Sequence, residues 1–334
     1  MSSKVLIVGC IEFATDILCE LQKKYSIEYC ASRTRQEFIQ DCSDKYKDIS
    51  IIYHSPEAHE SLGVFDAEMI QSFPESLKYI VYCGAGYDSI DVDACEQRQI
   101  KVSHTPMAVD DGTADIAVIL ILACCRNMIA ASNNLRKGRF RHGLSMGTDV
   151  QGKVLGIIGA GGIGKTLAKR MAGFDLKQIQ YYNRNRLHKD VEEQYNLTYV
   201  DFETLLRTSD IISIHCPHSA QTTHLIDYKE FTYMKKDVII VNTARGKVIN
   251  EAALVKALER GQVLAAGLDV FEEEPKVHPG LLTHPRSVLL PHIGTFTRQS
   301  QHNMEKLVLD NLVAALEHDT LLTPIPEHRK YFNK

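Results

Sequence analysis

Three ionisable residues carry the first chemical signal in this chain: Arg245, Glu274 and His292. Each follows an apolar run that reads as a strand. Val238–Val241 leads into Asn242-Thr243-Ala244-Arg245-Gly246. Leu264–Leu268 leads into Asp269-Val270-Phe271-Glu272-Glu273-Glu274-Pro275. Val288–Leu290 leads into Pro291-His292-Ile293-Gly294. An arginine in such a loop can grip a carboxylate with two parallel N–H bonds. A histidine can give a proton to a carbonyl that is being reduced. A carboxylate beside it holds the imidazole and favours its protonated form. Taken singly, each has a plainer reading: an arginine paired with some nearby acid, an ordinary strand-end histidine, a solvated acidic run. Their common position favours a site, because ligands of open parallel sheets bind beyond the carboxyl ends of the strands.

Upstream stands a glycine-rich turn. Val154–Ile158 is apolar and β-branched, as a buried parallel strand is, and it runs into Gly159, Gly161 and Gly164 in the order G-x-G-x-x-G. Gly159 would make the tight turn, Gly161 would let backbone approach a pyrophosphate, and Gly164 would let helix pack on strand. With Gly162 and Ile163 they open a helix whose unpaired N–H groups favour the phosphates of a dinucleotide. At the end of the following strand, Asn183 lies 19 residues past Gly164, where an NAD site places Asp or Glu for the ribose 2′-OH. An asparagine does not repel a 2′-phosphate, and Arg184 and Arg186 offer it cationic donors. NADP is therefore the expected cofactor, with NAD possible.

Elements must position these residues. Strands are expected at 4–8, 27–30, 49–53, 79–82 and 100–102, and again at 154–158, 179–182, 211–214, 238–241, 264–268 and 288–290, with helices between most of them. Strand–helix alternation predicts an α/β chain of two doubly wound parallel-sheet domains, a flavodoxin-like substrate domain and a Rossmann cofactor domain. The substrate domain takes residues 1–105 and 297–334, and the cofactor domain residues 106–296. One long apolar helix, Thr113 to Met128, makes the crossing, and a last helix, Thr297 to Glu317, returns the chain to the first domain. Cys83-Gly84-Ala85-Gly86-Tyr87-Asp88 follows the fourth strand. It reads either as backbone N–H groups facing a small anion or as a turn that needs positive φ.

Composition narrows the classes. The chain has 334 residues, 44% hydrophobic and 24% charged, with a net charge of −4, so no basic field points to nucleic acid. The longest apolar run, Ile116 to Cys125, is too short to span a bilayer, and no membrane is expected. Nine cysteines without a C-x-x-C pair fit reduced thiols in the cytoplasm. His215, Cys216 and His218 come nearest to a metal-ligand cluster, but they read as a strand end and a Pro turn, and no metal is expected.

The motifs together resemble the D-isomer-specific 2-hydroxyacid dehydrogenases over nearly the whole chain: Gly84-Ala85-Gly86-Tyr87-Asp88, the glycine turn, Asn242 to Gly246, Leu268-Asp269-Val270-Phe271 through Glu274-Pro275, and Pro291 to Gly294. The spacing is similar too, with Glu274 29 residues past Arg245 and 18 before His292. Thr113-Ala114-Asp115 and Tyr182 to Arg186 look like the fungal-type glyoxylate/hydroxypyruvate reductases within that family. The resemblance implies that Arg245 binds the carboxylate of a small 2-oxo or 2-hydroxy acid and that His292 is its acid or base. It implies that Glu274 supports His292 and that backbone at Gly84 and Ala85 completes the carboxylate cradle. Asp269 with Thr243, Ala244 and Arg245 would face the nicotinamide, with His292 and Gly294 beside them, while Cys216 and Pro217 would line the cofactor cleft. It also implies two domains closing over substrate in a homodimer. Where many relatives carry a tryptophan near the dimer partner's site, this chain has Phe140. Two other uses of such a scaffold are a formate-dehydrogenase-like enzyme, whose relatives place an amide at the Glu274 position, and a dinucleotide-sensing corepressor.

Overall fold

A computed structural model describes residues 4–332 of the chain. It divides into two compact units, one running to Val109 and resuming at Thr297, the other spanning Asp110–Phe296. The division falls four residues past the 105/106 boundary expected from the sequence. Pro106 to Val109 form a turn in which Ala108 N–H donates to the Pro106 carbonyl at 2.8 Å, and the crossing helix starts only at Asp110.

In the first unit, β1 (Lys4–Val8), β2 (Ser26–Tyr29), β3 (Ile49–His54), β4 (Tyr79–Tyr82) and β5 (Lys101–Ser103) form a wholly parallel sheet in the order β2-β1-β3-β4-β5. This is the flavodoxin-like doubly wound order. Strands β1, β3 and β4 are apolar on both faces because helices cover both; β2, at the edge, is mostly exposed. Helix α1 (Thr15–Gln22) starts after Ala14, which has no side chain able to cap it. Glu305, from elsewhere in the chain, ties down the segment that enters the helix. Its two oxygens accept from the N–H groups of Glu12, Phe13 and Ala14 at 2.9, 2.7 and 2.7 Å.

The second unit holds β6 (Val154–Ile158), β7 (Gln178–Tyr182), β8 (Leu197–Tyr199), β9 (Ile211–Ile214), β10 (Val238–Asn242), β11 (Val263–Leu268) and β12 (Ser287–Leu289), all parallel, in the order β12-β11-β10-β9-β6-β7-β8. It is the dinucleotide-binding order with a seventh strand added beyond the expected six. The extra strand within the series, β8, has three residues at a sheet edge with an exposed Thr198, too short for a period to show. The long apolar helix expected over Thr113 to Met128 is α2 (Asp110–Cys125), and a second helix, not expected from the sequence, follows it as α3 (Met128–Arg136). They part at Asn127, left-handed at φ 50°, whose side chain is held by Arg286 Nη1 at 2.8 Å and by the Ser145 carbonyl at 2.9 Å. Helix α4 (Gly162–Met171) follows the glycine turn, and α5 (Arg298–His318) belongs to the first unit, capped by the Thr297 side chain.

Pairing across the second sheet puts one residue of each long strand in a single row. Tyr182 pairs with Ile158, Ile158 with Ile214, Ile214 with Asn242, Asn242 with Leu268 and Leu268 with Leu289. The loops that leave this row leave it together.

Replacing Glu305 by Gln keeps the shape of the side chain but turns an N–H donor toward N–H donors. The variant should unfold at lower urea, with stability reduced by about 1–3 kcal/mol. An unchanged urea midpoint would show that α1 does not depend on this carboxylate.

Candidate active site

The first loop of the row is the glycine turn. Gly159 has φ +97°, and a Cβ there would stand 2.5 Å from the Cys216 N, so the β6 and β9 exits touch backbone to backbone. Its N–H donates to the Tyr182 carbonyl at 3.0 Å and His215 N–H to the Ile158 carbonyl at 2.8 Å, which extends the ladder into the loops. At Gly161 no heavy atom lies within 4 Å of where a Cβ would be, so the turn is open to a backbone-hugging ligand at the start of α4. Ile163 and the buried Gly164 continue that first turn. The Asp110 carboxylate packs against Gly162 from the other side, a neighbour that no sequence motif announces.

At the β7 exit, Asn183 Oδ1 accepts from Ala160 N–H at 2.7 Å, which ties this strand end to the glycine turn. Arg184 is exposed, and its charge is felt at Cys216, whose thiol burial pushes up to about 11. Pro217, exposed, ends this wall. Arg186 departs from its expected place. Its Nε and Nη2 bind both oxygens of Glu192 at 2.8 Å, and Glu192, 8% exposed, also accepts from the Tyr181 hydroxyl at 2.6 Å. A nearly buried carboxylate needs a cation, so the fork of Arg186 is committed inside the loop, and Arg184 is the arginine left facing outward. No local sequence pattern marks Glu192 as the partner of Arg186.

The β10 loop is clamped by Asn242, whose Nδ2 donates to the Arg245 carbonyl and whose Oδ1 accepts from Ala244 N–H, both at 2.9 Å. Arg245, half-buried, places Nη1 2.9 Å from the Ala244 carbonyl. Thr243 Oγ1 lies 3.3 Å from His215 Nδ1, and Ser213 Oγ 2.8 Å from His215 Nε2. Burial pushes His215 down to about 3, so it stays neutral.

The acidic run after β11 is sorted by the fold. Glu272 accepts from Glu251 N–H at 2.9 Å and returns its own N–H to Glu251 at 2.8 Å, and it also contacts His224, so its work is structural. Glu273 is exposed. Glu274 Oε2 lies 2.8 Å from His292 Nδ1, and Oε1 accepts from Phe271 N–H at 2.8 Å. Burial raises the Glu274 pKa, but the His292 hydrogen bond and charge, the Phe271 N–H and the charge of Arg245 outweigh it, and the net shift is downward. Asp269, 1% exposed, accepts from Ile293 N–H on one oxygen and Gly294 N–H on the other, both at 2.8 Å. Here burial prevails and the pKa rises. The two bonds fix the backbone beyond His292, itself left-handed at φ 54°. Arg245, Glu274 and His292 therefore stand at one end of one sheet, with Glu274 as the shared neighbour.

Gly84 and Ala85 belong to the first unit, beyond β4. Both carbonyls are occupied there: Gly84 accepts from Thr105 N–H at 3.0 Å, and Ala85 from His104 Nδ1 at 2.8 Å.

Residues 118–294 match the family model for the NAD-binding domain of D-isomer-specific 2-hydroxyacid dehydrogenases. The chain is 45% identical over 328 residues, 98% of its length and 99% of the relative's, to 4-methyl-2-oxopentanoate reductase A of Aspergillus oryzae. Among solved structures, a glyoxylate reductase from Paecilomyes thermophila superposes with a TM-score of 0.95 at 43% identity, covering 98% of this chain and 99% of that one. An NADPH-dependent glyoxylate/hydroxypyruvate reductase of Sinorhizobium meliloti, in complex with NADP and malonate, gives a TM-score of 0.84 at 28% identity over 98% of both chains.

Asp269→Asn leaves one acceptor for two N–H donors. Amide exchange at Ile293 and Gly294 should quicken by at least about tenfold while β11 stays protected. Equal protection in the variant would mean that Asp269 does not hold the His292 loop.

Proposed function

The chain belongs to the D-isomer-specific 2-hydroxyacid dehydrogenase family, oxidoreductases of CH–OH groups, and from that premise we propose that it reduces glyoxylate or hydroxypyruvate with NADPH, His292 delivering the proton. The observation that carries this reading is the 2.8 Å bond between His292 Nδ1 and Glu274. A carboxylate on Nδ1 fixes the ring and leaves Nε2 as the outward nitrogen, on a side chain that is 47% exposed at the row of strand ends. Glu274 is a carboxylate where formate-oxidising relatives are expected to carry an amide, which favours acid–base chemistry on a ketone or aldehyde.

The fit of a dinucleotide rests on the open face at Gly161, the start of α4 and the Asn183 anchor. Gly159 to Gly164 would hold its phosphates, Asn183 and Arg184 its ribose, Cys216 and Pro217 one wall, and Thr243, Ala244, Arg245, Asp269, His292 and Gly294 the nicotinamide end. When bound, the reduced nicotinamide supplies hydride to the carbonyl carbon. Arg245 orients the substrate through its carboxylate, His292 Nε2 gives its proton to the carbonyl oxygen as negative charge develops, and Glu274 stabilises the imidazolium before transfer. Loop backbone at 84–86 is assigned to the carboxylate as well. The reverse reaction uses neutral His292 as base.

The protein is further proposed to work as a homodimer in the cytoplasm. Met128, Ile129, Leu135, Phe140 and Met146 expose apolar surface along α3 and the loop after it, where the resemblance places the partner. All nine cysteines are unpaired, and among the described residues no single helix is long and apolar enough to cross a membrane.

Two measurements test the reading. Reduction requires a protonated imidazole, so kcat/KM should fall with rising pH, and Glu274→Gln should move that limb to lower pH. The lowered pKa of Glu274 sets the sign: the carboxylate is charged across the neutral range and loses this action only when acidified below its ordinary range. An unmoved limb would separate Glu274 from proton delivery. For the cofactor, the ratio of kcat/KM for NADPH over NADH should exceed one in wild type and fall by about tenfold or more in Asn183→Asp/Arg184→Ala, which adds repulsion and removes attraction. A wild-type ratio below one would overturn the NADPH assignment and leave the reductase intact. Glyoxylate, hydroxypyruvate, pyruvate and 4-methyl-2-oxopentanoate, assayed side by side, rank the substrates.

A further inference from the structure

The loop after β4 is held by a residue that the reductase chemistry does not otherwise use. His104 follows β5, is 8% exposed, and lies with its Nδ1 2.8 Å from the Ala85 carbonyl. A carbonyl only accepts, so Nδ1 carries the hydrogen and the bond fixes the tautomer. Its Nε2 is buried and has no hydrogen-bond partner among the described residues. A second proton there would create a buried, unanswered donor, and burial holds the His104 pKa below the ordinary histidine range. The ring is therefore a permanently neutral donor.

The position of that donor is set by a buried chain. His104 N–H donates to the Thr323 carbonyl at 3.1 Å, and the Thr323 hydroxyl donates to the His104 carbonyl at 2.6 Å. Asn311 of α5, fully buried, accepts from Thr323 N–H at 3.0 Å and donates to the Thr323 hydroxyl at 2.9 Å. Tyr87 closes one face of the ring edge-on, centroids 5.3 Å apart.

Peptide planarity turns these bonds into a statement about the loop. In a trans peptide the C=O and the next N–H point in opposite directions. Thr105 N–H holds the Gly84 carbonyl at 3.0 Å, so the Ala85 N–H points away from the β5 exit. His104 Nδ1 holds the Ala85 carbonyl, so the Gly86 N–H points away on the same side. Neither N–H has an acceptor among the described residues. Two successive N–H groups aimed the same way make a small anion-binding concavity.

Building on the reductase reading above, we propose that His104 is a positioning residue for the substrate carboxylate. By holding the Ala85 carbonyl it aims the Gly86 N–H, beside the Ala85 N–H that Thr105 aims, at the carboxylate of the 2-oxo acid. Without that bond the 85–86 peptide can rotate, and one of two donors is lost. Since the carboxylate is held alike in ground and transition states, the loss falls on KM.

The test compares His104→Leu with His104→Asn, whose amide Nδ2 can stand where Nδ1 does. In His104→Leu, KM for glyoxylate should rise by about tenfold or more, with kcat much less affected and the NADPH dissociation constant, read by nucleotide fluorescence, within about twofold. In His104→Asn, KM for glyoxylate should return to within about threefold of wild type. A purely structural role would move substrate and cofactor together and would not be rescued by a donor. Should the leucine variant fail to fold, His104→Phe keeps a ring against Tyr87 without a donor and carries the same comparison. A wild-type KM in the donorless variants, or no difference between them and His104→Asn, overturns the assignment. If wild type itself turns over no 2-oxo acid with either nucleotide, the reductase reading fails instead.

Discussion

Register is the constraint on which the site depends. Six strands of the second sheet end on one row because parallel pairing of Tyr182, Ile158, Ile214, Asn242, Leu268 and Leu289 leaves no freedom along the strands. A slip of one residue would also turn every buried side chain to the opposite face. The apolar contacts that fix the register are the same contacts that form the core of the unit, so misplacing the loops would mean unpacking the sheet. Chemistry that needs an arginine, a carboxylate and a histidine within reach of one another can therefore come from residues distant in sequence.

Within that frame, burial decides what each acid does. Asp269 is almost wholly enclosed and meets only backbone N–H groups at close range; desolvation wins, and the residue serves as a clamp. Glu274 is only partly enclosed and has a histidine at 2.8 Å and an arginine charge nearby; its partners win, and it remains a carboxylate. Glu272, two residues earlier, is used up in a reciprocal lock with the Glu251 helix terminus. The same side-chain chemistry at positions 269, 272 and 274 thus yields a scaffold, a staple and a partner for the imidazole.

The sequence made the parallel strands legible, since β-branched apolar runs bounded by glycine and proline leave little ambiguity, and most strand limits agree within one residue. It also made the Arg245, Glu274 and His292 loops legible, because chemistry-bearing residues stood where strands end. What stayed hidden was long-range pairing of polar side chains. Nothing local distinguishes Glu305 from other helical glutamates, yet it holds the entry to a helix nearly 300 residues earlier. Nothing local announces the helix α3 that follows α2, because the break at Asn127 from which it starts is held by Arg286. The strand β8 escaped because three residues at an edge carry no period.

Arg186 shows the same limit with a consequence for specificity. Read along the chain, two arginines after Asn183 look equivalent. Folded, they are not. Glu192 is nearly buried and would be costly without a cation, so its carboxylate, held down to about 2 by Arg186 and the Tyr181 hydroxyl, captures one of the two forks. That capture orders the turn: Tyr181 also accepts Leu187 N–H at 2.9 Å, and Arg186 lies over the Tyr199 ring. Arg186 thereby stiffens the segment from which Arg184 projects. A flexible arginine loses conformational freedom on gripping a phosphate, and a stiffened turn reduces that loss before any ligand arrives. Under the NADPH reading proposed above, selectivity at this strand end would depend on one outward charge, one amide that does not repel, and a second arginine that acts by holding the turn in shape.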